Sequence, residues 1–243
     1  MNSEIIDISL DIQFGQLKSL TWKPYIGKNY NLTTPKILVV GESHYVPDGE
    51  NFNDYHQSNW TREFILKEGL QQKPWYSETK KNNLIREVEK TLLALKKVDS
   101  ANSIKLWNNI SYYNFIQRLM TSLDKRPTYE DIINGWKTFQ KVYDILQPDI
   151  IIFCGIESSK HLVNFNSTNN EFNIRPLDTA FDKINRTYPR SFILQRNGNS
   201  TTCLFIKHPS MMYSWEPWSK ILNEITNGKM VEFRLKSSEL NIL

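Results

Sequence analysis

Four short apolar runs constrain the fold of this chain more than any other feature. They are rich in β-branched and aromatic residues, are almost free of charge, and occupy residues 36–40, 110–115, 149–154 and 202–206. Such runs are typical of parallel strands that are covered on both faces. Segments with helical spacing separate them, and this alternation predicts an α/β fold in which crossovers connect a mainly parallel sheet.

Three segments carry clear helix signals. Residues 83–98 have apolar residues at helical spacing and a basic last turn, which suits the helix dipole. Residues 128–146 begin with a Thr-x-x-Asp capping signal at Thr128 and end before Pro148. Residues 214–228 offer a serine as the N-cap and a glycine as the stop. We predict a helix in each segment.

The remaining segments give weaker predictions. Residues 191–206 suggest a hairpin around the Asn-Gly-Asn sequence that leads into the last strand. Residues 164–173 are polar and typical of a turn-rich connection, and the tail from residue 229 suggests an additional edge strand.

Composition limits the class of protein. A chain of 243 residues suits one α/β domain, and its net charge of +4 permits a polyanionic partner without requiring one. Both cysteines, Cys154 and Cys203, lie in apolar runs and are expected to be buried free thiols. The chain has no apolar run long enough for a membrane span and no signal peptide, so we expect a cytoplasmic protein with no membrane partner.

Unusual polar residues follow the predicted strands. Gly-Glu-Ser-His-Tyr occupies residues 41–45 after the first run, Asn114 ends the second, Gly155 follows the third, and Lys-His-Pro-Ser begins at Lys207 after the fourth. Ligands of parallel sheets bind at the carboxyl ends of the strands. The sequence therefore predicts that Gly41, Asn114, Gly155 and His208 lie around one cleft.

Each of these residues also has an ordinary structural interpretation. Gly41 is typical of a strand-end turn, although glycine there also permits close approach of the backbone to a ligand. Asn114 either braces a loop or uses its donor and acceptor to recognise the edge of a base. His208 precedes Pro209 at the ligand edge, a position that favours a functional role over a structural one.

The loops around these residues supply further candidates. Glu42, Ser43, His44 and Tyr45 are either solvated loop residues or part of the site. Ser210 either fixes its loop or binds a phosphate. Met211, Met212 and Tyr213 either pack beneath the next helix or form an apolar wedge of the kind that separates stacked bases.

Several other chemistries lack support in the sequence. There is no GxGxxG or Walker A pattern, and Ser43 is not part of a GxSxG elbow. The four histidines lack the spacing of metal ligands, and there is no CxxC motif. We expect neither a metal nor another cofactor.

The arrangement of motifs resembles the uracil-DNA glycosylase superfamily. "VVGESHY" stands where that family has Gly-Gln-Asp-Pro-Tyr-His or a Gly-Glu variant, and "KHPSMMYSW" matches its His-Pro-Ser motif after the last core strand. "ISYYNF" supplies the asparagine at a strand end, and "QPDIIIFCGIESSK" fits the third strand. The likeness spans about residues 35–225 of a single domain over 1–243.

The resemblance implies a three-layer α/β/α sandwich with a central, mainly parallel four-stranded sheet, which binds a flipped base at its carboxyl edge. It implies that His208 stabilises charge on the leaving base and that Asn114 recognises the base edge. Residues 211–213 would fill the gap left in the DNA stack, and Phe52 would stack on the base. The family's motif aspartate is replaced by Ser43 and its proline by His44, so Glu42 is the candidate to orient water.

Three functional hypotheses follow. The first is a monofunctional DNA glycosylase, expected to be a monomer, that cleaves the N-glycosidic bond of a damaged or deaminated base in single- or double-stranded DNA. The second is a glycosylase-fold module that binds nucleic acid or a nucleotide without cleaving it. The third is a hydrolase of a free nucleoside or another small ligand. Lys160, Lys183, Arg186, Arg190 and Lys207 predict a basic rim that suits the first two hypotheses.

Overall fold

The computed structural model describes residues 5–46, 57–70, 82–121, 125–169, 171–177, 181–210 and 212–239. The strands are β1 (Tyr25–Ile26), β2 (Ile37–Gly41), β3 (Ile110–Asn114), β4 (Ile150–Cys154), β5 (Asn173–Pro176), β6 (Arg190–Arg196) and β7 (Asn199–Ile206). The α-helices are α1 (Asp11–Gly15), α2 (Trp60–Phe64), α3 (Asn83–Leu93), α4 (Ser100–Asn109), α5 (Tyr129–Leu146), α6 (Glu157–Asn169), α7 (Trp215–Ile225) and α8 (Lys229–Glu239). A 3₁₀ turn spans Tyr30–Leu32, and a π-helical turn, Ile65–Gly69, extends α2.

All seven described strands form one mixed sheet in the order β1-β3-β2-β4-β7-β6-β5. The four strands predicted from the apolar runs are its parallel centre, β3-β2-β4-β7. The sheet is larger than the predicted four strands. Strand β1 pairs antiparallel with β3 at one edge, and β6 and β5 extend the other edge, also antiparallel. Strands β1 and β5 are too short, with two and four residues, to show a sequence period.

The predicted hairpin is confirmed as β6 and β7. Asn197 and Gly198 connect the two strands with φ values of 50° and 81°. Positive φ at both central residues is the backbone of a type I′ turn, whose twist matches that of the flanking strands. Asparagine and glycine tolerate this conformation better than other residues do.

Helices cover both faces of the sheet, which makes the architecture a three-layer α/β/α sandwich. Successive residues of a strand point to opposite faces. In β2, Ile37 and Val39 therefore join one apolar core with α3, α4, α7 and α8. Leu38 and Val40 join the other core with α5 and α6. Both cores are rich in aromatic side chains, and most of the aromatic residues of the chain lie in them.

The helix predictions differ from the structure mainly at the ends. Helix α5 begins at the predicted cap, where Thr128 and Asp131 form a reciprocal capping box. Helix α3 ends at Leu93 rather than near residue 98, because Ala94 adopts a left-handed conformation with φ of 57°. Helix α7 ends at Ile225, shortly before Gly228, which has φ of 84°.

Two weaker predictions are wrong. The tail forms helix α8 and not an edge strand, because Met230 and Phe233 lie three residues apart and both bury against the core. Helix α6 extends through most of the segment that we expected to be turn-rich. Its buried Leu162 and Phe165 repeat at helical spacing despite the polar residues around them.

Candidate functional site at the carboxyl edge of the sheet

The four central strands end at one edge of the sheet. In the strand register, Gly41 lies beside Asn114, and Cys154, which precedes Gly155, lies beside Ile206, two residues before His208. The Gly155 amide also donates to the carbonyl of Ile206, with a nitrogen–oxygen distance of 3.0 Å. The four residues predicted from the strand ends therefore lie at the same edge, but of the four only Gly41 and Gly155 line the pocket described below.

Gly41 is required by close packing. A Cβ atom at this position would press against the hydroxyl of Tyr112 and the Oδ1 atom of Asn114. Both neighbours are buried, each with 2% of its surface exposed. The absence of a side chain at Gly41 thus lets the ends of β2 and β3 approach each other.

The Asn114 side chain is held in a fixed orientation. The Tyr112 hydroxyl donates to Asn114 Oδ1 at 2.9 Å. Burial raises the pKa of Tyr112 well above its ordinary value, so this hydroxyl keeps its proton and acts as the donor. No described residue accepts a hydrogen bond from Asn114 Nδ2. The amide therefore keeps a free donor at the sheet edge.

Glu42 lies at the centre of a small polar network. Its Oε2 atom accepts from the Tyr45 hydroxyl at 2.8 Å, and its Oε1 atom accepts from Arg126 Nη2 at 2.8 Å. The Glu42 side chain is 14% exposed, whereas that of Arg126 is 65% exposed. Burial, followed by the charge of Glu42, raises the pKa of Tyr45 to about 12. The carboxylate is thus well positioned, with its ion-pair partner on the solvent side.

His208 is half-buried and has a defined tautomer. Its Nδ1 atom accepts from the Ser210 amide at 3.3 Å and lies 2.8 Å from Ser210 Oγ. An Nδ1 atom that accepts a backbone N–H carries no proton, so the neutral ring has its proton on Nε2. This assigns Ser210 the role of orienting the ring.

His208 is also electrostatically linked to Glu42. Burial lowers the pKa of His208, the negative charge of Glu42 opposes this shift, and the positive charge of Arg126 adds to it. Burial therefore favours the neutral form of His208, whose electrostatic partner is the Glu42 carboxylate. Such a pair can stabilise opposite charges as they develop on two parts of one substrate.

His44 lies in the interior of the protein. Its Nε2 atom is 2.9 Å from Thr61 Oγ1, and its ring packs edge-to-face against Trp22 and Phe64. Burial lowers the pKa of His44 to about 3, so the ring is neutral. His44 thus belongs to the packed interior next to the candidate site. Ser43, which precedes it in the same loop, is half-buried.

The predicted wedge divides into two parts. Met212 is 77% exposed and has φ of 44°. Tyr213 turns inwards, where its hydroxyl lies 2.9 Å from that of Thr91 and its ring stacks on Trp218 with 6.2 Å between centroids. Met211 and the predicted stacking residue Phe52 lie outside the described residues.

A pocket that is partly open to solvent lies beside the polar network of Glu42. The strand ends, the segment before α5 and the start of α6 form its walls. Its lining residues are Val40, Gly41, Glu42, Phe115, Ile116, Arg126, Pro127, Ile132, Phe153, Cys154, Gly155, Glu157 and Ser158.

Sequence reasoning missed much of this lining. Arg126 and Pro127 precede the predicted cap of α5, but nothing in the sequence indicates that this cap faces the sheet edge. In the sequence, Phe115 and Phe153 are recognisable only as residues of predicted strands. In the structure their ring centroids lie 6.1 Å apart. Their identity as pocket walls depends on strand register, which the sequence alone does not provide.

The cations predicted to form a basic rim have different environments. Lys160 pairs with Glu157 at 2.8 Å, and Arg190 Nη1 donates to Ser159 Oγ at 3.1 Å. Lys207 Nζ donates to the carbonyl of Met212 at 3.1 Å. The two other cations, Lys183 and Arg186, are exposed on a turn close to the loop that follows His208.

The described part of the chain offers neither a metal cluster nor a membrane-spanning helix. Within it, no group of three or more His, Cys, Asp or Glu side chains is arranged to hold a metal ion. None of the described helices combines the length and apolar character needed to cross a membrane. Both cysteines are free and buried, and burial raises their pKa values.

No protein-family model matches this chain, and no curated protein matches its sequence.

Proposed function

We propose that this protein is a uracil-DNA glycosylase-like enzyme that cleaves the N-glycosidic bond of a deaminated or damaged base in DNA. The observation that carries the proposal is the convergence of Glu42, Asn114 and His208 at the carboxyl edge of the parallel strands, where Glu42 lines a pocket. The motifs that resemble the glycosylase superfamily supply these residues, and an α/β fold with a parallel centre to its seven-stranded sheet supports the proposal.

The pocket has properties that suit a flipped base. It is a concave, partly open site whose lining combines apolar side chains with the polar groups of Glu42 and Arg126, as ligand sites commonly do. Phe115 and Phe153 give it aromatic walls that match the apolar faces of a base. Asn114 Nδ2 is a free donor at the same edge. A donor of this kind favours bases with a carbonyl group, which deamination creates.

The proposed chemistry separates charge. As the bond breaks, negative charge develops on the base and positive charge develops on the sugar. The Nε2–H group of His208 donates to a carbonyl oxygen of the leaving base, and it does so without carrying a charge of its own. Water then adds to the sugar carbon, and its proton is lost to the departing base or to solvent.

Glu42 takes the second role in this proposal. Its carboxylate faces the developing positive charge or orients the attacking water. Tyr45 and Arg126 each donate to one of its oxygens and thereby fix its position. Glu42 replaces the aspartate that the superfamily motif carries where this chain has Ser43.

The binding module is the second candidate function. Two observations favour it: Ser43 is a poor base, and the ion pair with Arg126 partly neutralises Glu42. A small-molecule hydrolase is a weaker alternative because it would need neither an exposed Met212 nor cations near the pocket.

The experiment that tests the proposal measures base release from oligonucleotides that contain uracil, hypoxanthine or xanthine. Release is detected as alkali-labile abasic sites. The wild type is compared with Glu42→Gln, which removes the charge but keeps the shape, and with Lys28→Gln. Lys28 is exposed and follows Gly27, whose amide donates to the carbonyl of Ile110 at the amino end of β3, away from the candidate site.

We expect the wild type and Lys28→Gln to release at least one of the bases. The rate of base release by Glu42→Gln should be about 10²–10³-fold lower. Binding without release of any base would replace the glycosylase proposal with the binding module. Absence of both DNA binding and base release would favour the small-ligand hydrolase.

A further inference from the structure

The segment that precedes β6 forms a well-anchored tight turn. Ile184 and Thr187 exchange backbone hydrogen bonds of 2.9 and 3.0 Å, and Asn185 between them has φ of 56°. Ile184 is buried in the core with 7% of its surface exposed. The turn therefore presents the side chains around it from a fixed backbone.

This turn contacts the loop that follows His208. Asn185 Nδ2 lies 3.4 Å from the carbonyl oxygen of Met212 and 3.4 Å from Ser214 Oγ. The Met212 carbonyl also accepts from Lys207, which directly precedes His208. A continuous series of contacts thus connects the turn with the candidate site.

The side chains on the turn combine positive charge with an aromatic ring. Tyr188 is 59% exposed, and Lys183 Nζ lies 4.7 Å from the centroid of its ring. Arg186 is exposed at the tip. Neither Lys183 nor Arg186 forms an ion pair with any residue that the structure describes. Asp182 is the single carboxylate among residues 181–190.

We propose that Lys183, Arg186, Tyr188 and Met212 form a surface that binds single-stranded DNA beside the loop that follows His208. We call these four residues the turn surface. Tyr188 stacks on an unpaired base, while Lys183 and Arg186 contact the phosphates on either side of it. The inference rests on the proposed function for the identity of the ligand, and it adds that the substrate strand is unpaired next to the target base.

The choice of a single strand follows from the chemistry of stacking. An aromatic side chain can stack only on a base whose face is open, and bases within a duplex are covered on both faces. A cation beside the ring strengthens this binding because it forms an electrostatic contact with the phosphate that follows the stacked base. Met212, in the loop that follows His208, provides an exposed apolar side chain for the same strand.

The test measures binding of the full-length protein to a short fluorescent single-stranded oligonucleotide by anisotropy, with the same sequence as a duplex for comparison. The variants are Tyr188→Ala, Tyr188→Phe and Arg186→Gln. The matched controls are Leu32→Ala and Lys28→Gln; Leu32 is 78% exposed and precedes β2 at the opposite edge.

We expect Tyr188→Ala to weaken single-strand binding by about 5- to 150-fold, the range for loss of one stacked base. Tyr188→Phe keeps the ring and should bind within about twofold of the wild type. Arg186→Gln should lower the salt dependence by about 0.7 in log–log slope, the value for one phosphate contact on a single strand. Both control variants should bind like the wild type.

Equal binding by the wild type and Tyr188→Ala would overturn the inference, as would tighter binding to the duplex than to the single strand. Base release from the same oligonucleotide is measured in parallel. Binding that depends on Tyr188 without base release would retain the turn surface and reject the enzyme. Base release with binding that is insensitive to Tyr188 would reject the turn surface and retain the enzyme.

Discussion

Replacement of Gly41 by alanine tests the packing at the centre of the candidate site. The added methyl group would collide with the Tyr112 hydroxyl and with Asn114 Oδ1. Both side chains are almost fully buried, so they can move only by disturbing their neighbours. Overpacking of this kind typically costs about 1–3 kcal/mol, and loss of the hydrogen bond between the two side chains adds about 0.5–1.5 kcal/mol.

We therefore expect Gly41→Ala to lower the free energy of unfolding by about 2–4 kcal/mol. The measurement is urea unfolding followed by tryptophan fluorescence and by circular dichroism, with the midpoint and the slope fitted separately. A change in the midpoint at constant slope would show a loss of native-state stability.

Gly15→Ala is the matched control, because a Cβ atom there would have no neighbour within 4 Å. It replaces glycine in helix α1 and should leave stability unchanged or raise it by up to about 1 kcal/mol. A Gly41→Ala protein as stable as the wild type would refute the argument that this glycine is required by close approach of β2 and β3.

Three further predictions concern single groups. The pKa of His44 is about 3 in the folded state and about 6.5 in the unfolded state. Below pH 6.5 the unfolded chain therefore binds a proton on His44 that the folded protein does not bind, and this stabilises the unfolded state. Stability should fall by about 1–3 kcal/mol between about pH 7 and 4.5, and His44→Gln should lack this component in pH-dependent urea unfolding. Arg126→Gln should raise the pKa of His208 and Glu42→Gln should lower it, because the two charges act on it in opposite directions; NMR titration of the ring measures both shifts, and changes of the same sign would contradict the proposed geometry. Thr128→Ala should destabilise the protein by about 0.5–2 kcal/mol in thermal unfolding, since it removes the capping box of α5; an unchanged stability would show that the cap is dispensable.

The sequence was most informative about the centre of the fold. The parallel strands were predictable because burial on both faces leaves uninterrupted apolar runs, as in Ile150–Cys154. The edge strand Asn173–Pro176 was not predictable because it is short and largely exposed, so no apolar period marks it. Helix α8 was misassigned because its two buried residues, Met230 and Phe233, are too few to distinguish a helix from a strand.

The site was predictable only at the ends of strands. Gly41, Asn114 and His208 could be found because parallel strands end at a common edge. The inward direction of His44 and Tyr213 could not be predicted, since it depends on partners such as Thr61 and Thr91 that are distant in sequence. Arg126 was missed for the same reason: its ion pair with Glu42 joins residues 84 positions apart.

The most direct test of the proposed function compares His208→Ala with the wild type in both base release and DNA binding. His208 is proposed to act mainly in the transition state, so its loss should slow single-turnover base release by about 10²–10³-fold while the Kd for the same oligonucleotide changes little. Ser43→Ala should cause a much smaller loss of rate. Base release by His208→Ala at the wild-type rate would contradict the proposed role of this residue. A wild-type protein that binds the DNA but releases no base would contradict the glycosylase proposal itself.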